Sequence, residues 1–173
     1  MRAVLSVGSN LADRWALLRS VREEFAAELI AESPVYATPP WGVTDQGEFL
    51  NAVLIVDVGD TPLGLLRRGQ RLEEAAERVR LRRWGPRTLD VDVVQVQDGA
   101  GELMSADPEL TLPHPRAWER AFVLVPWLAA DPAAVLGGRR VAELLGELDP
   151  TDVAQIRPAG TLAGGPVAGE GQL

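Results

Sequence analysis

Strand-like and helix-like segments alternate along this chain in an order that predicts an α+β fold. The expected core is ferredoxin-like, βαββαβ, with a mainly antiparallel sheet, helices packed on it and a helical addition at the C-terminus. Short apolar runs at 2–7, 33–38, 49–58 and 89–96 have the length and alternation of strands. Two longer segments, about 11–30 and 61–79, carry apolar residues at helical spacing. Beyond residue 110 the pattern turns helical.

Residues 2–7 (R-A-V-L-S-V) read as a buried first strand, and Gly8-Ser9-Asn10 as a tight turn out of it. Asn10 is the expected N-cap of a helix reaching to about 30, with Leu11, Trp15, Leu18, Val21, Phe25 and Leu29 on its apolar stripe. Ser33–Thr38 is a short strand stopped by Pro39-Pro40. The loop 39–48 is of a length that often forms lids or binding loops, and its Trp41 is either a core plug or a stacking surface.

Phe49–Val58 is the strongest strand. Alternation puts Phe49, Asn51, Val53 and Ile55 on one face and Leu50, Ala52, Leu54 and Val56 on the other. Asn51 is thus an amide among apolar neighbours, needing either backbone partners or a ligand with several polar edges. Thr61 and Pro62 suit the cap and first turn of the second helix, with Gln70 and Glu73 on a face beside its core stripe. Leu89–Val96 is the next strand, 97–110 a hairpin or excursion, and Thr111–Arg116 a stiff proline-flanked turn. Ala117–Ala130 is helical but expected to break at Pro126, and Val141–Leu148 forms a short closing helix. The 173 residues fit one domain, expected at 1–157, followed by a Gly/Ala/Pro-rich tail, 158–173, expected to be disordered.

A formal net charge of -8 excludes nucleic-acid or anionic-membrane binding by bulk electrostatics. There is no cysteine, so disulfides and thiolate metal sites are excluded. No apolar stretch approaches the roughly 20 residues of a membrane span, and a cytoplasmic location is expected. All 17 basic side chains are arginine. Five of them, at 78, 80, 82, 83 and 87, fall in R-V-R-L-R-R-W-G-P-R-T-L-D-V-D, which ends in Asp90 and Asp92. On a strand these two aspartates share a face, with Cβ atoms roughly 6–7 Å apart. A divalent cation offsets the cost of two carboxylates among valines, and magnesium favours one or two carboxylates plus phosphate oxygens. Arginine supplies planar, permanently charged donors for phosphate. Together the pattern reads as a polyphosphate site with metal; exposed aspartates paired with nearby arginines are the structural alternative.

The segment 83–94, R-W-G-P-R-T-L-D-V-D-V-V, resembles the signature of the 6-hydroxymethyl-7,8-dihydropterin pyrophosphokinase family of folate biosynthesis. V-G-S-N-L, Y-A-T-P-P-W-G, D-Q-G-E-F-L-N-A-V and L-P-H-P-R-A-W-E-R-A-F-V-L-V-P resemble further family segments in the family's order. The resemblance spans roughly residues 2–150. It implies transfer of pyrophosphate from ATP, the co-substrate, to the pterin hydroxymethyl group, with release of AMP. It further implies two Mg2+ ions at Asp90 and Asp92, with Arg78, Arg80 and Arg87 on the phosphates; Arg80 and Arg82 are the alternative register for the first pair. Gln70, Glu73, Thr111, His114 and Arg120 would belong to the ATP site, and Trp84 would close beside both substrates. Thr38, Pro39, Pro40, Trp41, Phe49, Asn51 and Phe122 would form the pterin pocket. Asp92 is a candidate base, although a metal-polarised hydroxyl needs none. The resemblance implies small-molecule substrates, and a monomer is expected. Two other readings fit the fold: an RNA-binding ferredoxin-like module, which calls for exposed aromatics on central strands where this chain has aliphatic ones, and a non-catalytic pterin- or ATP-binding regulator.

Overall fold

The computed structural model describes residues 1–11, 13–39, 47–78 and 89–168. The elements follow in order: β1 (Arg2–Ser9), α1 (Arg14–Glu24), a 3-10 turn (Ala26–Glu28), β2 (Leu29–Glu32), β3 (Val35–Thr38) and β4 (Phe49–Asp57). Next come α2 (Pro62–Arg78), β5 (Asp90–Asp98), β6 (Gly101–Glu102), β7 (Ser105–Ala106), β8 (Thr111–Leu112), a second 3-10 turn (Ala117–Glu119) and α3 (Ala121–Ala130). The chain closes with β9 (Val135–Leu136), β10 (Arg139–Arg140), α4 (Val141–Gly146), α5 (Pro150–Ala154), β11 (Arg157–Thr161) and β12 (Gly165–Pro166).

The main sheet has the order β12-β11-β3-β4-β1-β5-β6, and β2 also pairs with β4. These pairings are antiparallel. β1 lies at the centre, between β4 and β5. The alternation read along β4 holds. Leu50, Ala52, Leu54 and Val56 enter one core with Leu18 and Val21 of α1, Phe25 at its C-cap and Leu65 of α2. Val53 and Ile55 enter a second core on the opposite face, with Val123, Leu124 and Trp127 of α3 and Val141 and Leu144 of α4. The two long helices therefore share one face, and the C-terminal helices cover the other. Burying each such aliphatic side chain contributes about 1.5–3 kcal/mol.

The first helix is shorter than its periodicity suggests. Gly8 and Ser9 still belong to β1, and the cap is Asp13 rather than Asn10: the Asp13 carboxylate accepts the Ala16 N–H at 3.1 Å. The helix stops at Glu24, because Leu29, Ala31 and Glu32 pair with Val56, Ile55 and Leu54 of β4. Ladder hydrogen bonds to an existing strand outweigh helical propensity there. At the second helix the expected cap is present, with the Gly64 N–H donating to Thr61 Oγ1 at 3.0 Å.

Two further expectations are corrected. Pro126 does not break α3, which runs on through it; Pro126 and Trp127 are both buried, and packing on the sheet compensates the missing N–H. The tail is not disordered through 158–168. Its β11 pairs with β3, Arg157 opposite Ala37 and Gly160 opposite Val35, and then with β12. Ala159 and Leu162 are buried in the first core. The segment needs little apolar mass because backbone hydrogen bonds attach it to the free edge of β3. Its glycine is specific: at Gly160 φ is +151, and a Cβ would stand 2.2 Å from the Gly165 carbonyl and 2.9 Å from the Trp15 ring. Among the described residues, no helix is long and apolar enough to cross a membrane.

Candidate active site

On the face covered by α3, the second core ends in polar residues. Val4 and Val53 are buried apolar groups, while their neighbours Ser6, Gly8, Asn51, Asp90 and Asp92 floor a cavity of about 800 Å³. Register explains the grouping. Gly8 of β1 is opposite Asn51 of β4 on one side and Asp90 of β5 on the other; Ser6 is likewise flanked by Val53 and Asp92. Antiparallel neighbours lie about 4.8 Å apart, so Asn51 and the acidic pair stand roughly 9–10 Å apart across β1. A bulge between Val4 and Leu5 in the β1–β5 pairing keeps both aspartates on this face while Val93 and Val96 point to the other.

The Asn51 end is a shaped polar notch. Thr38 and Asn51 are each 5% exposed, and the Asn51 amide donates to Thr38 Oγ1 at 3.1 Å. The Asn51 carbonyl lies over Gly8, where a Cβ would sit only 2.7 Å from Oδ1. Glycine is therefore required there by a close approach. Pro39, Phe49 and Phe122 add apolar walls. An amide with one donor and one acceptor edge remaining, in a cavity also lined by two aromatic rings, suits a flat heterocycle with alternating donors and acceptors.

The opposite end is charged. Asp90 and Asp92 are half-buried and line the cavity. Arg120, at the start of α3, reaches within 3.5 Å of Asp92 Oδ2 and lies 5.5 Å from the Phe122 ring centroid. It thus joins the aromatic and acidic ends. The described part of this end suits a hard cation through its pair of carboxylate oxygens, with Arg120 at hand for an anion. His114 follows β8; its N–H donates to the Val94 carbonyl at 2.8 Å, and its Nδ1 accepts the Arg116 N–H at 3.1 Å. The neutral ring therefore carries its proton on Nε2. Burial, and then the Arg120 charge, hold its pKa below the ordinary histidine value, with Asp90 opposing.

Thr38, Pro39, Phe49, Asn51, Asp90, Asp92, Arg120 and Phe122 thus meet in one cavity. Gln70 and Glu73 do not enter it: they border a second cavity of about 330 Å³ with Glu74, Glu77 and Leu89. Glu73 still touches the strand that bears the acids, accepting the Val91 N–H at 2.8 Å. Thr111 lines neither cavity; its hydroxyl donates to the Asp107 carbonyl at 3.0 Å. Pro40, Trp41, Arg80, Trp84 and Arg87 lie outside the described residues, as does the side chain of Arg78 at the end of α2. Sequence reasoning missed Ser6 and Gly8, because a serine and a glycine in an apolar strand carry no signal until register is known. It also missed the outer wall, where Leu148, Asp149, Asp152, Gln155 and Ile156 close the cavity through tertiary packing alone.

Known proteins resemble this chain in sequence and in fold. A family model described as 7,8-dihydro-6-hydroxymethylpterin-pyrophosphokinase (HPPK) matches residues 4–132. The chain is 51% identical over 166 residues to a protein of Mycobacterium tuberculosis named 2-amino-4-hydroxy-6-hydroxymethyldihydropteridine pyrophosphokinase, covering 90% of this chain and 88% of that one. A protein of the same name from Methylorubrum extorquens is 45% identical over 159 residues, covering 90% and 98%. Among solved structures, a Plasmodium falciparum HPPK-DHPS superimposes with a TM-score of 0.58 at 13% identity, over 84% of this chain and 44% of that one. This last likeness concerns the fold, and the chain spans less than half of that protein.

Proposed function

This chain belongs to the 7,8-dihydro-6-hydroxymethylpterin-pyrophosphokinase family, and from that premise we propose that the cavity between β3 and β5 is where its two substrates meet. The enzyme transfers pyrophosphate from ATP to 6-hydroxymethyl-7,8-dihydropterin in folate biosynthesis. The observation that carries the site assignment is the opening of two unlike ends, the Thr38–Asn51 notch and the Asp90–Asp92 pair, into one cavity.

In this reading the pterin ring lies between Phe49 and Phe122, with Asn51 answering its aminopyrimidinone edge and Thr38 fixing the Asn51 amide. The hydroxymethyl arm crosses β1 toward Asp90 and Asp92. Its oxygen forms a bond to the β-phosphorus of ATP, the bond from that phosphorus to the α,β-bridging oxygen breaks, AMP leaves with that oxygen, and the hydroxyl proton passes to solvent water. Asp90 and Asp92 would hold Mg2+, two ions in the full reading, which when bound neutralises phosphate charge and polarises the attacking hydroxyl. Arg120 orients Asp92 through their ion pair and presents its remaining N–H groups to phosphate. His114, kept neutral by burial, offers Nε2–H as a hydrogen-bond donor on the nucleotide side. Gln70 and Glu73 are assigned to the nucleotide side because their cavity borders Leu89, beside Asp90.

Arg78, Arg80 and Arg87 on the phosphates, Trp84 over both substrates, and Pro40 and Trp41 at the pterin are carried by the sequence pattern alone. Thr111 is retained for ATP on that pattern, without support from the cavity. A cytoplasmic monomer completes the reading. Incubation with ATP, Mg2+ and 6-hydroxymethyl-7,8-dihydropterin should yield AMP and pterin diphosphate one for one; ADP in place of AMP would reject it.

A further inference from the structure

β1 presents two residues to the cavity, Ser6 and Gly8, and only Ser6 has a side chain. Ser6 is 5% exposed, yet its hydroxyl makes no hydrogen bond among the described residues. The residue as a whole is buried, but its hydroxyl is not sealed off from the cavity it lines, so a ligand lying there can reach it. The nearby Ser9 hydroxyl is already engaged, donating to the Leu11 carbonyl at 3.3 Å. Register puts Ser6 directly opposite Asp92, and two residue pairs from the Asn51–Gly8–Asp90 row, on the same face. Side chains of such cross-strand partners stand about 4.5–5.5 Å apart at Cβ. Ser6 therefore lies under the crossing from the Asn51 notch to the acidic pair, and Gly8 leaves that crossing clear.

We propose that the Ser6 hydroxyl is a further substrate-contacting group, which hydrogen-bonds the hydroxymethyl oxygen of the pterin and holds that arm against Asp92. The proposal rests on the assignment of the pterin to the Asn51 end. A serine hydroxyl accepts and donates, so it can receive the hydroxymethyl O–H before transfer while its own proton faces the Asp92 carboxylate. The contact selects for an oxygen on the 6-substituent; it gives nothing to a pterin carrying a bare methyl there.

The test compares wild type and Ser6→Ala in binding 6-hydroxymethyl-7,8-dihydropterin and 6-methyl-7,8-dihydropterin, by titration calorimetry, with thermal unfolding as a check on the fold. The alanine should weaken the hydroxymethyl ligand roughly 2- to 12-fold, the range for one hydrogen bond, and leave the 6-methyl ligand unchanged. Equal weakening of both ligands, or of neither, overturns the proposal while leaving the pterin site standing. Failure of the wild type to bind either ligand overturns the site assignment, and the proposal with it.

Discussion

Gly8→Ala is the sharpest test of the notch at Asn51. The backbone at Gly8 is an ordinary strand paired on both sides, so alanine is not excluded by its dihedrals. The obstacle is one atom: the new Cβ would stand 2.7 Å from Asn51 Oδ1, while the next neighbours, Asn51 Cγ and the Leu50 carbonyl, are at an ordinary 3.7 Å. The Asn51 amide must turn away, and turning it breaks the 3.1 Å bond to Thr38 in a site where both residues are buried. A buried donor left unsatisfied costs about 1–3 kcal/mol, partly offset by about 0.5–1 kcal/mol from replacing a strand glycine. Global stability should therefore fall by no more than about 2.5 kcal/mol. Pterin affinity, which needs the amide in place, should fall roughly 5- to 150-fold, the same 1–3 kcal/mol read as binding. Calorimetric titration of wild type, Gly8→Ala, Asn51→Ala and the double variant checks the argument. With Asn51 shortened, Oδ1 is gone and the alanine meets nothing closer than ordinary contact, so Gly8→Ala should be nearly silent in that background. Equal losses in both backgrounds, or wild-type affinity in the single variant, would refute the reasoning.

Asp92→Ala should lower turnover by roughly 100- to 1,000-fold, the scale of losing one transition-state-stabilising group, while pterin affinity without Mg2+ barely changes; chelating the metal should silence the wild type, and either enzyme turning over normally under these conditions would count against the acidic pair. Gly160→Ala should destabilise the protein by about 1–3 kcal/mol or more in urea unfolding, given φ of +151 and a Cβ 2.2 Å from the Gly165 carbonyl; a loose tail would show no change. Burial raises the pKa of Tyr36, the chain's single tyrosine, and there is no lysine or cysteine to mask it. The unfolded chain then loses this proton first: stability is fully present below about pH 10, the unfolded value, and is lost as pH rises from there through the native value. Tyr36→Phe should flatten that alkaline decline in thermal-unfolding temperature, and an unchanged slope would show that another group sets it.

Much of this molecule was legible in residue order. The alternation Phe49 to Val56 foretold which side chains enter which core, because a strand has period two wherever it lies. Thr61 and Pro62 announced a helix start because a cap is a local interaction. Asp90, Asp92 and Asn51 stood out by chemistry and spacing, Phe122 and Arg120 only through the family resemblance, and all five meet in one cavity. The misreadings share a cause. Residues 29–32 have helical spacing, but an available edge of β4 claimed them; the tail is poor in apolar mass, but the open side of β3 gave its backbone a ladder. Pro126 looked like a break until the packing around it was known.

The sequence by itself therefore determined the inventory: strands, helices, an arginine-rich run, an acidic pair and a buried amide, each set by local periodicity or side-chain chemistry. Only the tertiary structure decided neighbourhood. Register across β4, β1 and β5 put Asn51, Gly8 and Asp90 in one row and Ser6 beside Asp92, and no pattern along a single strand contains that information. Pairing partners are chosen by hydrogen bonds and packing between segments tens of residues apart. That is why a glycine and a serine that look ordinary in the chain become, in the fold, the cavity floor between Asn51 and the acidic pair.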